Sequence, residues 1–556
     1  MKKKHIPFLV VGLLVVLFVT AAFSDFDKLK AAFSGAFTPR DIVVSPSGSD
    51  TGAGSSTDPM SLEGALASAP SGATLVLLSG TYPVEEPLAL DRELSMKGRG
   101  GAVIDCSEID SDLWCMEFGP GIGDSVRFEN FTFTHALNGV HIQGGSPEFE
   151  DMTFLRGTLE DSSGSMDESY FLVSVEDGSA DFNIINSKFS VAGSRFGGTG
   201  YEGVDGLPFG LHITDGSSAT VTGMDCQGYY FSCVLFTGGG SSGEVRNSLF
   251  AAVDSGVMID EGAGGVDILG NGFIYIYGNA IYFGEGVGES FIAQNQFAYI
   301  DHSSVYFNDF AENVEAELMA NFFRPGGPFE GDLSYSTDSF VGELDITSGY
   351  DLYVDEVEDL YVHHNFFEGT EDRTAILIRG GTDPIDGNLL IEQNWFDDYA
   401  IAIALSAEIK NLIVNNVFLN MTRAIVAGGT ITFAYNTLVG GEIGLDHFSD
   451  YPSLIVDNIF VGFDAFAITS ALSFTDSVQM GFNAFFDNGT DIDGVLDYDD
   501  LGGNVYDDPD FVDSDENDFH LEAGSPLIDV GSGFVSVSGD YEADPRVVPD
   551  IGAFEY

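Results

Sequence analysis

An apolar residue, an asparagine and a phenylalanine recur at fixed spacing over about two fifths of the chain. The asparagine follows the apolar residue by three positions and precedes the phenylalanine by two, in nine copies between residues 268 and 485. One copy has Leu438 in place of the phenylalanine, and successive asparagines lie 20 to 29 residues apart, except for one interval of 44. A period in the low twenties predicts a solenoid, in which each coil buries its apolar face against its neighbours. The nine asparagines are Asn271, Asn295, Asn321, Asn365, Asn394, Asn416, Asn436, Asn458 and Asn483.

The segments between these positions predict short strands, because apolar alternation is broken by Gly, Asn, Asp and Ser turns. Helical repeats need about 33 residues or more, and the leucine-rich signature is absent. In a parallel β-helix, coils stack about 4.8 Å apart, so equivalent positions lie above one another. We therefore expect an inward ladder of asparagine amides beside an interior stack of phenylalanine rings. A looser version, with the phenylalanine three residues on, places Asn130, Asp151, Asn186 and Asn247 in the same frame.

Two further segments accompany the repeat. Residues 43–50 and 80–82 read Val-Val-Ser-Pro-Ser-Gly-Ser-Asp and Gly-Thr-Tyr, and residues 508–556 begin Asp-Pro-Asp-Phe and end Ile-Gly-Ala-Phe-Glu-Tyr. With these, residues 41–556 resemble the right-handed parallel β-helix proteins of the pectate-lyase-like superfamily, whose opening and closing segments look similar. The resemblance implies an all-β fold, a right-handed parallel β-helix solenoid with a short N-terminal capping helix. That superfamily includes lyases, hydrolases, epimerases, adhesins and phage spikes, so the fold alone does not specify a function.

The chain divides into five predicted segments. Residues 1–24, with three lysines before an apolar run, predict a signal peptide or an uncleaved N-terminal anchor. A linker (25–40), an N-terminal cap with the first coils (41–100), the coils (101–505) and a closing segment (506–556) follow. The expected location is therefore extracellular or at the cell surface, with membrane contact only through an uncleaved N-terminal segment.

Local signals refine the cap. Asp58 and Pro59 predict an N-cap and a first-turn proline for a helix over residues 61–67. Strands are expected over 73–78 and 88–96. The two long intervals, between Asp151 and Asn186 and between Asn321 and Asn365, predict insertions that form loops on one face.

The charge balance excludes some partners. The chain has 20 basic and 88 acidic residues, a formal net charge of −68. Nucleic acids and anionic membrane surfaces are excluded as partners, because their binding depends on Lys and Arg. Solubility in a salty medium explains the acidity more simply than divalent-cation binding by acidic turns, which is the alternative.

Four cysteines allow three disulfide pairings. The local pairs Cys106–Cys115 and Cys226–Cys233 are the simplest, and buried free thiols are the alternative. No spacing of Cys and His indicates zinc.

A candidate binding strip follows the phenylalanine of each coil. If the flanking apolar residues face inward, Met258, Tyr282 and Tyr306, each 24 residues apart, stack on the outer face. Asp260 and Asn308 form a second outward column, His212 lies two coils before Met258, and the remaining members of the strip are His141 and Arg379. Tyrosine faces that pack on sugar rings, with polar groups for the hydroxyls, predict binding of a polysaccharide or cell-surface glycan. The alternative is that these side chains merely cover a sheet face.

Catalysis has weaker candidates: His212, Asp215 and Asp260. Similar lyases use a base beside calcium, and similar hydrolases use paired carboxylates; neither cluster occurs in register here. Whether the chain is an enzyme stays open. The favoured function is an exported β-helix protein that binds polysaccharide or another surface. The alternatives are a polysaccharide lyase or glycoside hydrolase in the same groove, and a non-catalytic adhesive or architectural rod.

Asp513, Asp515 and Asn517 place oxygen ligands at alternate positions, as calcium loops do. The segment lacks the glycine and the final glutamate of an EF-hand, so a structural turn is favoured over a metal site. The sequence requires no cofactor, and Ca²⁺ is the one cation with a candidate site.

Overall fold

The computed structural model describes most of the chain after residue 40. The predicted signal peptide or anchor and the linker, residues 1–40, lie outside the described residues. Among the described residues, no helix is long and apolar enough to cross a membrane. The described ranges are 41–110, 113–120, 122, 126–136, 138–156, 169–176, 182–191, 207–228, 231–308, 315–324, 349–355, 359–379, 388–405, 410–448, 451–470, 478–493 and 496–556.

Parallel strands stack into an 18-stranded and a 28-stranded sheet, and the second sheet consists of two consecutive ladders. Ladder A, the 18-stranded sheet, precedes the asparagine corner of each coil. It contains Asp41–Ser49, Ala73–Leu77, Leu94–Gly98, Arg127–Glu129, Glu148–Glu150, Phe182–Ile185, Ser218–Thr222, Ser242–Arg246, Val266–Leu269, Ser290–Ala293, Glu315–Met319, Asp359–His363, Asn388–Glu392, Lys410–Val414, Ile431–Ala434, Ser453–Val456, Val478–Gly481 and Asp499–Gly502.

Ladder B follows the corner, and ladder C follows ladder B. Ladder B contains Gly80–Pro83, Ala102–Asp105, Thr132–Ala136, Thr153–Arg156, Lys188–Val191, Asp225–Gln227, Leu249–Ala251, Gly272–Ile276, Gln296–Ile300, Phe322–Arg324, Phe366–Glu368, Trp395–Asp397 and Ala484–Phe486. Ladder C contains Leu88–Leu90, Trp114–Phe118, Asn138–Gln143, Ser169–Glu176, Leu207–Ile213, Ser232–Phe236, Ser255–Ile259, Asn279–Phe283, Ser303–Phe307, Tyr350–Val354, Thr374–Ile378 and Ile401–Leu405. Three long strands run through both, Val417–Ala427, Thr437–His447 and Ile459–Thr469.

The asparagine ladder is confirmed. In a typical step, Asn416 accepts hydrogen bonds at Oδ1 from the backbone N–H of Asn394 at 3.0 Å and from its side-chain amide at 3.1 Å. Its own amide donates to the carbonyl of Ile391 at 2.9 Å and to Asn436 Oδ1 at 3.0 Å. All nine predicted asparagines are at most 2% exposed. The ladder therefore satisfies polar groups that a buried corner would otherwise leave unpaired.

The phenylalanine stack is also confirmed. Phe297, Phe323, Phe367 and Phe396 stack with ring centroids 4.5 to 4.9 Å apart and interplanar angles of 2° to 6°. Leu438 occupies the same position between Phe418 and Phe460. The apolar core thus runs beside the amide ladder.

For the upstream copies of the repeat, the prediction is confirmed for the phenylalanines and wrong for the Asn and Asp residues. Phe133, Phe154 and Phe189 stack in register as predicted. Asn130, Asp151, Asn186 and Asn247, however, adopt left-handed backbone with φ of 47° to 60°, so they occupy the corner residue just before the ladder position. Asn and Asp tolerate that conformation better than most residues. In these coils the ladder position itself is filled by other side chains, among them Ser187 and Ser248, whose hydroxyls accept from backbone N–H groups.

The N-terminal cap differs from the prediction in detail. The helix spans Leu62–Ser68, and its N-cap is Ser61, whose hydroxyl accepts from the Gly64 N–H at 3.0 Å. The prediction that Asp58 is the N-cap is wrong, because the Asp58 carboxylate accepts from the Ala53 N–H instead. The strand expected over 88–96 is two strands, interrupted at residues 91–93. The strand expected over 73–78 is observed at Ala73–Leu77.

The two local disulfides are both formed, Cys106–Cys115 and Cys226–Cys233. Cys226 takes the phenylalanine position of its coil, in register with Phe189 and Phe250. Disulfides persist in oxidising compartments, so they agree with a protein that folds outside the cytosol.

The closing segment lies along the side of the last coils. Phe519 and Phe554 pack on Val417 and Leu419, which would otherwise expose apolar side chains on the outer face. Polar contacts add to this, including a 2.9 Å hydrogen bond from the Asn415 amide to the Gly539 carbonyl. Residues 506–556 thereby cover the outer face of ladder B only near its C-terminal end.

Candidate functional site

The outer face of ladder C carries the predicted column of side chains. Strand pairing places these residues one above another, from His141 through Ser174, His212, Leu235, Met258, Tyr282, Tyr306 and Tyr353 to Leu377. Predicted members therefore share one column, and His212 lies two coils before Met258. The second outward column, two residues further along each strand, places Asp260, Gly284, Asn308, Asp355 and Arg379 in neighbouring coils.

Three tyrosines of the first column form a stack. Tyr282 and Tyr306 have ring centroids 5.6 Å apart at 9°, and Tyr306 and Tyr353 are 4.8 Å apart at 10°. Both faces of the Tyr306 ring are therefore turned to other tyrosines rather than outward. The sequence-based expectation that sugar rings pack on these tyrosine faces fails for Tyr306, because coil stacking places its neighbours there. The phenol edges face outward instead.

Residues of the second column form hydrogen bonds with the phenol hydroxyls of the stack. Asn308 Nδ2 donates to the Tyr282 hydroxyl at 2.7 Å, and Arg379 Nη1 donates to the Tyr353 hydroxyl at 2.8 Å. The Tyr353 hydroxyl donates to Asp355 at 3.1 Å. Burial raises the pKa of Tyr353, and Arg379 opposes that rise. These bonds hold the tyrosine edges in place across three coils.

A groove of about 430 Å³ opens beside this stack. The turn before strand Ser303–Phe307 and the start of strand Tyr350–Val354 form its other wall. Tyr350 meets Tyr353 edge to face, at 5.3 Å and 61°, so the Tyr350 ring is not part of the parallel tyrosine stack. Ten described residues line the groove: Asn279, Tyr282, Asp301, His302, Ser303, Tyr306, Asn308, Gly349, Tyr350 and Tyr353.

A buried ion pair supports the wall that carries Tyr350. Arg373 Nη2 lies 3.1 Å from Asp351 Oδ1, and both side chains are at most 4% exposed. The same guanidinium donates to the carbonyls of Tyr350 at 3.1 Å and Ile300 at 3.3 Å, one from each wall segment. Tyr399 donates its hydroxyl to Asp351. Burial raises the pKa of Asp351, and the Arg373 charge opposes it. This network joins four successive coils directly behind the groove.

The two predicted histidines lie outside the groove, in a polar chain near the N-terminal end of the column. His141 Nε2 is 3.0 Å from Glu176 Oε2, and the Ser174 hydroxyl donates to Glu176 Oε1 at 2.9 Å. His212 Nε2 lies 2.8 Å from the Thr237 hydroxyl. Burial lowers the pKa of His212 to about 4, and the hydrogen bond from His141 lowers the pKa of Glu176.

Each of these histidines is also stacked on an aromatic ring, His141 on Trp114 at 4.7 Å and His212 on Phe171 at 4.4 Å. Ser174, between them in the column, is fully buried. Both histidines are therefore packed against neighbouring side chains of the same sheet face.

The predicted acids do not converge on a substrate position. Asp260 Oδ1 accepts from the backbone N–H groups of Glu261 at 2.8 Å and Glu285 at 2.9 Å, so its carboxylate caps two adjacent turns. Asp215 is a left-handed turn residue with φ of 53°. Within the described part of the chain, no hydrogen bond or ion pair joins Asp215 to His212. Met258 also lies outside the groove lining.

The acidic triplet of the closing segment forms a turn. Asp513 precedes the 3-10 helix Ser514–Glu516, and Asn517 closes it in left-handed backbone, between the antiparallel strands Phe511–Asp513 and Asp518–Leu521. Among the described residues, no group of three or more His, Cys, Asp or Glu side chains could hold a metal ion.

Several groove residues escaped the sequence analysis: Asn279, Tyr350 and Tyr353. Tyr353 had a usable signal, since Tyr353-Val354-Asp355 repeats the outward, inward and outward order of Tyr306-Phe307-Asn308. The insertion between Asn321 and Asn365 broke the 24-residue spacing and hid it. Residues 325–348 of that insertion lie outside the described residues.

Comparison with known proteins gives matches among solved structures. No protein-family model matches the sequence, and the search of curated proteins gives no match. Pectate lyase Pel9A is 15% identical, with 93% of this chain and 97% of that chain covered and a TM-score of 0.24. A mannuronic acid specific polysaccharide family 6 lyase from human gut microbiota is 11% identical, with 72% and 86% covered and a TM-score of 0.36.

PfbA, a surface adhesin of Streptococcus pneumoniae, is 10% identical, with 78% of this chain and 85% of that chain covered and a TM-score of 0.30. At such identities and TM-scores, the likeness does not identify a ligand or an activity for this chain. The strand pairing and the interior ladders establish the β-solenoid that the repeat and the resemblance predicted.

Proposed function

We propose that this protein is exported and binds a saccharide chain in the groove beside the tyrosine stack. The observation that carries the proposal is the groove itself, in which four tyrosines stand beside amide, hydroxyl and carboxylate groups. Saccharide sites combine aromatic surface with a few polar groups that bond the hydroxyls. Tyr350 supplies aromatic surface, and Asn279, Asn308 and Ser303 supply the polar groups.

The composition of the groove favours binding over hydrolysis. Glycoside hydrolases use a pair of carboxyl groups on either side of the scissile bond. Asp301 is the only carboxylate among the ten described residues that line this groove. The acids expected from the sequence, Asp215 and Asp260, serve turns elsewhere on the surface.

The test is glycan-array binding by the full chain, followed by calorimetry on the best oligosaccharide. We expect Tyr350→Ala to weaken binding about tenfold or more, the equivalent of about 1.4 kcal/mol. Product analysis by mass spectrometry on the same oligosaccharide should show no cleavage.

Tyr275→Ala is the matched control, because Tyr275 is also a half-buried tyrosine in contact with another tyrosine, Tyr299 at 4.7 Å, but lies outside the groove. Its affinity should equal that of the parent protein. Binding that survives Tyr350→Ala unchanged, or the absence of any saccharide ligand, would overturn the proposal.

A further inference from the structure

The buried ion pair behind the groove occupies positions that neighbouring coils fill with small side chains. Asp351 is 3% exposed, and the residues in register with it in three coils on either side are Gly, Ala or Ser. These six residues are Gly256, Ala280, Ser304, Ala375, Ala402 and Ala424. Arg373 corresponds to Ala400 in the next coil. The fold of the coil therefore does not require a charged pair at this place.

A buried ion pair contributes little net stability by itself, because taking two charges out of water costs about as much as their attraction gains. Apolar side chains of similar volume are often at least as stabilising. Asp351 nevertheless has three polar partners: the Arg373 guanidinium, the Tyr399 hydroxyl and the Ser304 hydroxyl at 3.4 Å. A network of this size, where other coils need only a small side chain, indicates a role beyond coil stability.

The guanidinium of Arg373 links the two segments that form the groove walls. It donates from Nη1 to the Ile300 carbonyl at 3.3 Å and from Nη2 to the Tyr350 carbonyl at 3.1 Å. Ile300 immediately precedes the lining residues 301–303, and Tyr350 lines the groove itself. Asp351 Oδ1 holds the guanidinium, 3.3 Å from Nε and 3.1 Å from Nη2. Arg373 therefore fixes one wall relative to the other.

The two walls meet closely around this guanidinium. A Cβ atom at Gly349 would lie 2.9 Å from Arg373 Nη1 and 2.5 Å from the His302 carbonyl oxygen. The Tyr350 N–H donates to the same carbonyl at 2.8 Å, which joins the walls directly. Walls that are held in place before binding need not be ordered by the ligand, so less free energy opposes binding.

We infer that Arg373, Asp351 and Tyr399 are positioning residues, which set the separation of the two groove walls before a saccharide binds. The inference rests on the proposed function and names the residues that prepare its site. Arg373 holds the walls, Asp351 orients the guanidinium, and Tyr399 holds the second carboxylate oxygen of Asp351 from the fourth coil. None of the three is among the ten described residues that line the groove.

The test is Tyr399→Phe in the full chain, which removes one hydroxyl behind the groove and leaves every lining residue in place. The probe is the oligosaccharide that the parent protein binds most tightly on the glycan array. We expect its affinity, measured by calorimetry, to fall about three- to tenfold, because the carboxylate and the guanidinium gain freedom. Hydrogen exchange of the Tyr350 amide without saccharide, followed by mass spectrometry, should become faster, since that N–H joins the two walls.

Tyr435→Phe is the matched control, because Tyr435 is also fully buried and its hydroxyl donates to the Val535 carbonyl at 3.3 Å, in the contact with the closing segment. Urea denaturation compares the stability that each substitution removes. Tyr435→Phe should keep the parent affinity and the parent exchange rate at Tyr350, even where it removes as much stability as Tyr399→Phe.

A second variant removes the whole network. Asp351→Ala and Arg373→Ala, combined with Tyr399→Phe, give the first two positions the residue that the next coil has and leave neither charge buried without its partner. We expect about a tenfold loss of affinity or more in a protein that retains its far-ultraviolet circular dichroism. If this variant does not fold, Tyr399→Phe decides.

Parent affinity in Tyr399→Phe, or an equal loss in Tyr435→Phe, would show that the network serves the fold alone and would overturn the inference. Either result leaves the proposed function standing. Failure of the parent protein to bind any saccharide removes the proposed function itself.

Discussion

The protein contains two vertical stacks of like side chains, one inside the coils and one outside. The asparagine ladder repeats through nine consecutive coils at no more than 2% exposure, and a typical side-chain amide, such as that of Asn416, bonds to the coils on both sides. The tyrosine stack spans three coils on the outer face of ladder C, and its hydroxyls bond to Asn308, Asp355 and Arg379 in the next column.

The difference lies in what each coil requires. Every coil must turn the same buried corner and satisfy the same backbone groups, so the inner residue is dictated and repeats. No such demand acts on the outer column, where His141, Leu235, Met258 and Tyr306 occupy equivalent positions. A local run of one residue type on the outer face therefore marks a place where something beyond coil stacking selects the side chain.

The largest expected effect comes from breaking the inner stack at its middle. Asn416→Ala should lower the free energy of unfolding by about 2 to 4 kcal/mol, because it leaves the Asn394 N–H and the Ile391 carbonyl buried without partners. Urea denaturation gives the change, and hydrogen exchange of the Asn394 amide should show lost protection at that coil.

Asn388→Ala is the control for this change, since Asn388 is exposed and its side-chain amide donates to the Asp359 carboxylate at 3.0 Å. It should lower the free energy of unfolding by less than about 1 kcal/mol. Equal effects of the two substitutions would contradict the assignment of stability to the inner ladder.

Acid should have an intermediate effect on stability, through one histidine inside the coils and one on their outer face. His447 lies inside, fully buried, with Nε2 2.9 Å from the Ser453 hydroxyl, and His212 belongs to the outer column. Burial lowers the pKa of each to about 4 from the ordinary value of 6.5. The unfolded chain therefore binds more protons between pH 6.5 and 4, and these groups reduce stability as the pH falls through that window.

At pH 5 each histidine should account for about 2 kcal/mol of lost stability. The measurement is the stability of His447→Gln and His212→Gln relative to the parent at pH 7 and at pH 5. Each variant should lose less stability than the parent on acidification, whatever the many carboxylates contribute. A pH dependence identical to that of the parent would contradict the role of that histidine.

The smallest effect is expected at the outer stack. Tyr306→Phe keeps the ring between Tyr282 and Tyr353 and removes only a hydroxyl that lies 3.4 Å from Asp355. The free energy of unfolding should change by less than about 1 kcal/mol, as measured by urea denaturation. A loss as large as that of Asn416→Ala would show that the outer stack supports the fold, and would weaken its assignment to ligand binding.

The sequence by itself determined the coil, because the buried corner admits few side chains. Asn365 and Phe367 repeat across coils of different length, and their spacing alone predicted the parallel β-solenoid, the amide ladder and the ring stack. The spacing also predicted that Tyr282 and Tyr306 share one outward column and that Asn308 lies in the adjacent one. This follows because side chains alternate along a strand, so the inward residues fix which positions face outward. The same pattern misplaced Asn130 and Asp151, because a left-handed corner and a ladder position both favour short polar side chains.

Only the tertiary structure decided which outer residues meet. The insertion after Asn321 changes the chain distance between Tyr306 and Tyr353 but not their spatial distance, so stacking restores a neighbour that sequence spacing had lost. Stacking also places a tyrosine ring against each face of Tyr306. It brings the Asp260 carboxylate to the backbone N–H groups of two adjacent turns, and it places Arg373 behind the groove wall. Contacts between coils depend on register and on side-chain packing at the surface. Neither produces a periodic pattern in the sequence, because no structural requirement on the outer face is common to every coil.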